Sequence, residues 1–302
     1  MISSRAVSGV LLGLGGLAGT LLDGVPPRPP LYRGGLQVLA ADFHVHSFSA
    51  DGALPPWELV LEARRRGLDA FAITNHAQVW AAKLGRWFSR RIGGPTVLVG
   101  EEITSWDYHL IAVGIEASVP WNQPATKAVE EVHRQGGVAI AAHPVAISWP
   151  AFEEALDTLD GSEVLHPLVH VSPGGRSGLS AFYERGRSRG RPFAAVGSSD
   201  YHFGAGLGAA RTYVFARENR PAAILESLRA GRTVVYDEEG VAHGDPALAA
   251  LLESDPLPAD SRPDRTTVPS RAAGICGWLG LAGLVLLRST RSRRGVAPSA
   301  VR

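Results

Sequence analysis

The chain has 302 residues, 45% hydrophobic and 20% charged, which is enough to bury one sizeable core and sets a prior of one or two domains. Its formal net charge of +1 offers no electrostatic footprint for nucleic acid, and basic stretches such as Arg64–Arg66 read as a solvated helix face. Cys276 is the single cysteine, so an intrachain disulfide and a thiolate metal cluster are both excluded, and any bound metal must use histidine and carboxylate ligands.

In chain order, Ala6–Leu22 is uncharged and apolar but diluted by Gly9, Gly13, Gly15, Gly16 and Gly19, so residues 1–35 read as a signal peptide or N-terminal anchor with a linker. A strand follows over Val38–Val45, and its two-residue side-chain period sends His44 and His46 to one face and Val45 to the other. Pro55 and Pro56 open a helix over Pro56–Arg66 that Gly67 closes. The strand Ala70–Thr74 runs into Asn75 and His76. Beyond it, Lys83, Arg86, Arg90 and Arg91 form a basic run that could steer an anionic substrate, though a solvated helix face is the simpler reading. Strand Thr96–Val99 leads to Glu102, and His109 opens the strand Leu110–Val113. Helix Ala125–Gln135 carries His133 on its surface, strand Val138–Ala142 ends at His143, and a helix is expected over Pro150–Leu159. His166 and His170 lie near the strand Glu163–Leu165 without an assigned role.

Helix Ser177–Arg189 precedes the apolar run Phe193–Val196, beyond which Asp200 and His202 stand two apart, as His44 and His46 do. Arg211, before the strand Thr212–Phe215, could clasp a phosphate with its planar fork or form a structural ion pair. A last helix is expected over Pro221–Ala230, and His243 lies in an acidic surface stretch. Residues 251–271 read as a Pro-rich linker, Ala272–Leu287 as a marginal transmembrane segment, and 288–302 as a basic cytoplasmic tail with Arg288, Arg291, Arg293 and Arg294. At ~1.5 Å per residue the apolar segment spans roughly 24 Å of a core about 30 Å thick. The flanking arginines and Arg5 place residues 36–250 outside the cytoplasm.

Strands alternating with helices argue an α/β fold with a parallel sheet. His44, His46, His76, Glu102, His143, Asp200 and His202 all lie at or just past the C-terminal end of a candidate strand, where a closed parallel barrel gathers its chemistry. His109 departs from that rule, but a hairpin-like return would bring it back to the same rim.

The segments DFHVHSFSADG, ITNH, GEEITS, AAHP and SSDYH, in this order, resemble the successive motifs of the PHP (polymerase and histidinol phosphatase) metallohydrolases over about Val38 to Val235. Within that superfamily, GEEITSWDYHLIAVGI and the closing RTYVFA and AILESLRAGRTVV resemble the CehA/McbA-like branch. The resemblance implies a distorted seven-stranded β/α barrel with two or three divalent ions, zinc, manganese or iron. It assigns the first ion to His44, His46, Glu102 and Asp200, the second to the bridging Glu102 with His109 and His143, and the third to Asp51, His76 and His202. Asn75 stands where many members carry Asp, so it can orient a ligand or substrate but brings no charge. The attacking group is then a metal-bound water, with His202 and His76 as candidate proton donors.

The expected function is a membrane-tethered, metal-dependent phosphoesterase acting on a small phosphate mono- or diester, with no nucleic-acid partner. A carboxylic or carbamate ester hydrolase is the rival, and a surface metal-binding module without turnover is the reading from a different class.

Overall fold

Short apolar runs bounded by glycine and polar residues become strands, and the longer amphipathic stretches between them become helices, in the computed structural model, which describes residues 4–22, 29–170, 174–203, 205–257 and 268–292. The elements are α1 (Ser4–Leu22), β1 (Tyr32–Arg33), β2 (Leu36–Asp42), α2 (Pro56–Arg65), β3 (Ala70–Ile73), α3 (Trp80–Ile92), β4 (Thr96–Thr104) and β5 (His109–Val113). They continue as α4 (Ala125–Arg134), β6 (Val138–Ala141), α5 (Trp149–Phe152), β7 (Gly161–Leu165), α6 (Pro167–His170), α7 (Gly175–Arg187) and β8 (Ala194–Gly197). The last are β9 (Thr212–Ala216), α8 (Pro221–Arg229), β10 (Thr233–Tyr236), β11 (Ala242–Gly244), α9 (Pro246–Ser254) and α10 (Val268–Ser292). The chain divides into two compact units, Pro27–Ser261 and Met1–Pro26 with Arg262–Arg302.

In the larger unit one sheet runs in the order β11-β10-β9-β2-β3-β4-β5-β6-β7-β8, with β1 paired on β2. Strands β2 to β8 curl into a nearly closed ring. Its seam is joined beyond the ends of β2 and β8, where Val45 bridges Tyr201 and the His46 N–H donates to the Tyr201 carbonyl at 2.9 Å. The Thr212 hydroxyl stitches the same seam to Gly197, accepting from its N–H at 2.9 Å and donating to its carbonyl at 3.0 Å.

The sheet is mixed, which corrects the expectation of a parallel one. Pairs β2–β3, β3–β4, β6–β7 and β7–β8 are parallel, whereas β5 is antiparallel to both neighbours and β9 to β11 extend the sheet antiparallel. The cause is loop length: only residues 105–108 join β4 to β5, far short of the dozen or so a parallel crossover needs.

The barrel interior is apolar, with Leu39, Ala72, Leu98, Ile111, Ile140 and Val196 meeting Ile224 and Leu228 of α8. Arg229 at the end of α8 donates to the carbonyls of Gly136 and Gly137, just before β6, so α8 plugs the end of the barrel opposite the C-terminal ends of the parallel strands. Gly114 permits this: its φ is +84°, and a Cβ there would lie 2.5 Å from Leu225 Cδ1. Outside the ring, α2 and α3 bury Leu59, Val60, Ala63, Ala81 and Ala82 against Phe71, Ile73, Val97 and Val99. Full burial of one such leucine or valine contributes roughly 1.5–3 kcal/mol. The helix expected over Pro150–Leu159 shrinks to the single turn α5, and the chain continues in tighter bonds from Ala155 N–H to Phe152 and from Thr158 N–H to Ala155.

The terminal expectations are corrected as well. Among the described residues no helix is long and apolar enough to cross a membrane, so the N- and C-terminal membrane segments and the membrane partner fall. The glycines explain the composition: Gly9, Gly13, Gly15, Gly16 and Gly19 on α1, with Gly274, Gly277, Gly280 and Gly283 on α10, replace bulk apolar side chains. Instead α1 and α10 approach each other closely within their own unit, where a Cβ on Gly15 would lie 2.5 Å from the Gly277 nitrogen. The placement of residues 36–250 outside the cytoplasm rested on those spans and loses its premise. The linker residues 258–267 and the tail with Arg293 and Arg294 lie outside the described residues.

Candidate metal centre

Strict strand alternation carries Leu39, Ala41 and Phe43 into the barrel, yet Val45 packs outside against the α2 and α3 layer. The phase flips after Phe43, and buried Asp42 braces the flip. Its Oδ1 accepts from the His44 N–H at 3.3 Å and the Ser199 N–H at 3.1 Å, and its Oδ2 from the Ser199 hydroxyl at 2.6 Å and the Gly208 N–H at 2.9 Å. Burial pushes the Asp42 carboxyl up to about 6 despite these donors. Among the described residues three non-glycines have positive φ, Ala77 at 51°, His143 at 31° and Asp200 at 46°, all in or beside the candidate ligand set. Such backbone costs about 1–3 kcal/mol each and persists where the surroundings hold it.

The rim at the C-terminal ends of the parallel strands brings all nine expected ligands together. His44 Nε2 lies 3.2 Å from Glu102 Oε2 and 3.1 Å from Asp200 Oδ1, and His46 Nε2 lies 3.3 and 3.2 Å from the same two oxygens. The other Glu102 oxygen, Oε1, is 2.7 Å from His109 Nδ1 and 3.2 Å from His143 Nε2. Glu102 thus faces two groups with its two oxygens, the posture of a bridging carboxylate. The β4–β5 hairpin brings His109 there, with Thr104 opposite His109 in register. Asp51 gathers a third group: its Oδ1 is 3.3 Å from His46 Nδ1, and its Oδ2 is 3.2 Å from His76 Nε2 and 3.1 Å from His202 Nε2.

These atoms are arranged for cations rather than for one another. His44 Nε2, both His46 ring nitrogens and Asp200 Oδ1 are buried with no hydrogen-bond partner, although each lies within 3.1–3.3 Å of a neighbouring ligand atom. Lone pairs that converge without bonding each other fit a shared ion, and this spacing suits ligand bonds of ~2.0–2.2 Å. Sets that could hold an ion are His44, His46, Glu102 and Asp200; Glu102, His109 and His143; His46, Asp51, His76 and His202; and His44, His143, His166 and Asp200.

Two groups that the sequence reading left out orient this set. Glu163 Oε1 accepts from His44 Nδ1 at 3.0 Å, which leaves the Nε2 lone pair to the cluster, and Glu163 Oε2 accepts from the His143 N–H at 2.5 Å. His166 Nδ1 accepts from the Val169 N–H at 3.2 Å, so its Nε2 carries the proton and donates to Asp200 Oδ2 at 3.1 Å. Glu163 lies inside the wholly buried strand GSEVL, where an acid needs a partner, and both the burial and the partner emerge only in the fold.

The electrostatics agree. Burial works against a charged His46, but Asp200, Asp51 and Glu102 outweigh it and push its pKa up to about 10. His44 is likewise raised well above the usual range, burial being outweighed by Asp200, Glu102 and Glu163. Against burial, Glu102 is held well below the carboxylate range by His44, His109 and His143, and Asp200 is held low by His44, His166 and His46. Burial lowers His76. The centre therefore attracts positive charge, as protons or as metal.

The remaining expected residues have other partners. Asn75 Oδ1 accepts from the Ser47 N–H at 2.7 Å, and its Nδ2 donates to the hydroxyls of Ser47 at 2.7 Å and Ser49 at 2.9 Å, so it braces the loop that carries Asp51. Arg211 donates to the carbonyls of Gly208 at 2.9 Å and Arg66 at 2.7 Å, a structural use of its fork. Lys83 and Arg86 both pair with Glu116, and Arg91 lies over the Trp87 ring. His133 pairs with Asp160 and His243 with Asp237, while the His170 side chain lies outside the described residues.

Residues 186–233 match the family described as PHP-associated. An uncharacterised protein of Methanocaldococcus jannaschii is 25% identical over 141 residues, 42% of this chain and 82% of that protein. The phosphoribosyl 1,2-cyclic phosphate 1,2-diphosphodiesterase of Eggerthella lenta is 34% identical over 86 residues, 26% of this chain but only 32% of that enzyme. Among solved structures, a two-domain protein of Bacteroides vulgatus containing a predicted PHP-like metal-dependent phosphoesterase superposes with a TM-score of 0.61 at 24% identity, covering 76% of this chain and 74% of that one. The last is a likeness of fold.

Proposed function

We propose that this chain is a PHP-type metal-dependent phosphoesterase of the CehA/McbA-like branch, hydrolysing a small phosphate mono- or diester. The observation that carries the reading is the set of buried, unbonded atoms His44 Nε2, His46 Nε2 and Asp200 Oδ1 converging beside Glu102 Oε2. His44, His46, Glu102 and Asp200 would hold one ion, Glu102, His109 and His143 a second, and Asp51, His76 and His202 a third. Their nitrogen and oxygen donors suit zinc, manganese or iron. When bound, such ions polarise phosphoryl oxygens and make water acidic near neutral pH.

The chain's own residues do the rest. Glu163 and His166 fix the tautomer of His44 and the carboxylate plane of Asp200, so the first ligand set is preorganised. With only two ions bound, His76 and His202, which flank Asp51 at the part-exposed mouth, would be free to carry a proton to a leaving oxygen. Domain limits of about 36–250 enclose every one of these groups.

The test is hydrolysis by the full chain loaded with manganese or zinc, against phosphomonoesters, phosphodiesters and carboxyl esters, with Asp200→Asn as control. Phosphate-ester turnover that Asp200→Asn abolishes is expected. Turnover of carboxyl esters alone overturns the reading in favour of an ester hydrolase.

A further inference from the structure

Strand β7 alternates, so Val164 packs into the outer layer while Glu163 turns the other way, where its side chain is wholly buried. A buried carboxylate needs donors, and Glu163 finds two that belong to different ion sets. Its Oε1 accepts from Nδ1 of His44, a residue of the first set, at 3.0 Å. Its Oε2 accepts at 2.5 Å from the backbone N–H of His143, a residue of the second.

The second of these bonds lands on strained backbone. His143 has a φ of +31°, a region that residues with a Cβ occupy only with support, and in this conformation its Nε2 lies 3.2 Å from Glu102 Oε1. The residue before it, Ala142, donates its N–H to the His109 carbonyl at 3.1 Å, so both histidines of the second set depend on one backbone arrangement. Glu102 joins the two sets through its own oxygens. Glu163 joins them a second time, through the far nitrogen of one ligand and the backbone of another.

We propose that Glu163 is a positioning residue that couples the two inner ion sites, so that an ion held by His44 raises the affinity of the set built on His143. The inference rests on the metal centre of the proposed function. With His44 Nε2 engaged, its Nδ1–H becomes a stronger donor and fixes the Glu163 carboxylate. The other oxygen then keeps His143 in the conformation that aims it at Glu102. Ordering one backbone segment that the second site needs is a physical route for coupling, whose usual size is about 5–150-fold in affinity. Repulsion between neighbouring cations opposes it, and the negative charges of Glu102 and Glu163 offset that repulsion.

The experiment is native mass spectrometry of the metal-free full chain with one zinc ion added per chain, counting chains that carry none, one or more. Two equal, independent sites leave about half of the chains with a single zinc, and coupling of about fivefold or more brings that share below about one third. The wild type is expected below that mark. Glu163→Gln, whose amide oxygen can accept from the donors on one side only, should return the share to about one half or above. His166→Ala loosens Asp200 in the first set alone, so it should bind zinc more weakly yet keep the low share of singly loaded chains. A wild-type share at or above that mark overturns the coupling and leaves the metal centre standing, and this needs no variant to fold. Glu163→Gln with the wild-type share also overturns it, as does His166→Ala that loses the pairing as fully as Glu163→Gln. Absence of bound zinc in the wild type removes the metal centre and the coupling together.

Discussion

Each candidate ligand depends on a partner that fixes which of its atoms faces the centre. His166→Ala removes the donor to Asp200 Oδ2 and frees the carboxylate to rotate, so metal affinity should fall about 10–100-fold, while His166→Gln, which can still donate, should lose less. Competition with a chelator of known affinity measures both. Asp42→Asn puts a donor where an oxygen now accepts from N–H and O–H groups, and should destabilise the protein by about 1–3 kcal/mol in denaturant titration. The metal-free state should also respond to pH. His46 is raised in the fold from the ordinary histidine value of 6.5 to about 10, so its stabilising contribution is fully present below 6.5 and is lost as pH rises through about 10. Metal-free protein should therefore melt lower at pH 10 than at pH 6.5, and metal loading at neutral pH should release protons to the medium. At this scale the sequence was legible where spacing encodes geometry: His44 with His46, and Asp200 with His202, are pairs two apart at strand ends. Glu163 and His166 were not legible as orienting groups, because their meaning lies in a hydrogen bond to a ligand on another strand.

Among the elements, the strands that carry ligands were readable as apolar runs, but their directions were not. The four-residue β4–β5 link turns β5 back, and it is this reversal that delivers His109 to Glu102. Strands β10 and β11 and helix α9 were not anticipated, and of these β11 is a three-residue strand at the sheet edge without apolar patterning. Helix α5 shows the opposite failure, a helical pattern that tertiary packing cut to one turn. The plug formed by α8 gives an element-scale prediction. Gly114→Ala forces a Cβ against Leu225 at a φ of +84°, and should destabilise the fold by about 1–3 kcal/mol in urea. Its effect on metal affinity should be small, because α8 lies at the far end of the barrel.

For the molecule as a whole, the division into two units predicts that residues 27–261 alone keep the melting temperature and metal stoichiometry of the full chain. Circular dichroism and metal analysis check this, and loss of either would tie the terminal helices to the body. The barrel seam has its own bearing on how the chain reaches this state. Asp42 and Ser199, bonded across it, are 157 positions apart, and tethering so long a loop costs about 4–5 kcal/mol in chain entropy. An ion held by His44 and Asp200 would lock that loop shut. Such an ion acts as a removable crosslink, so its capture late in folding would slow global unfolding, and a chelator would shorten the lifetime of the native state without altering any residue.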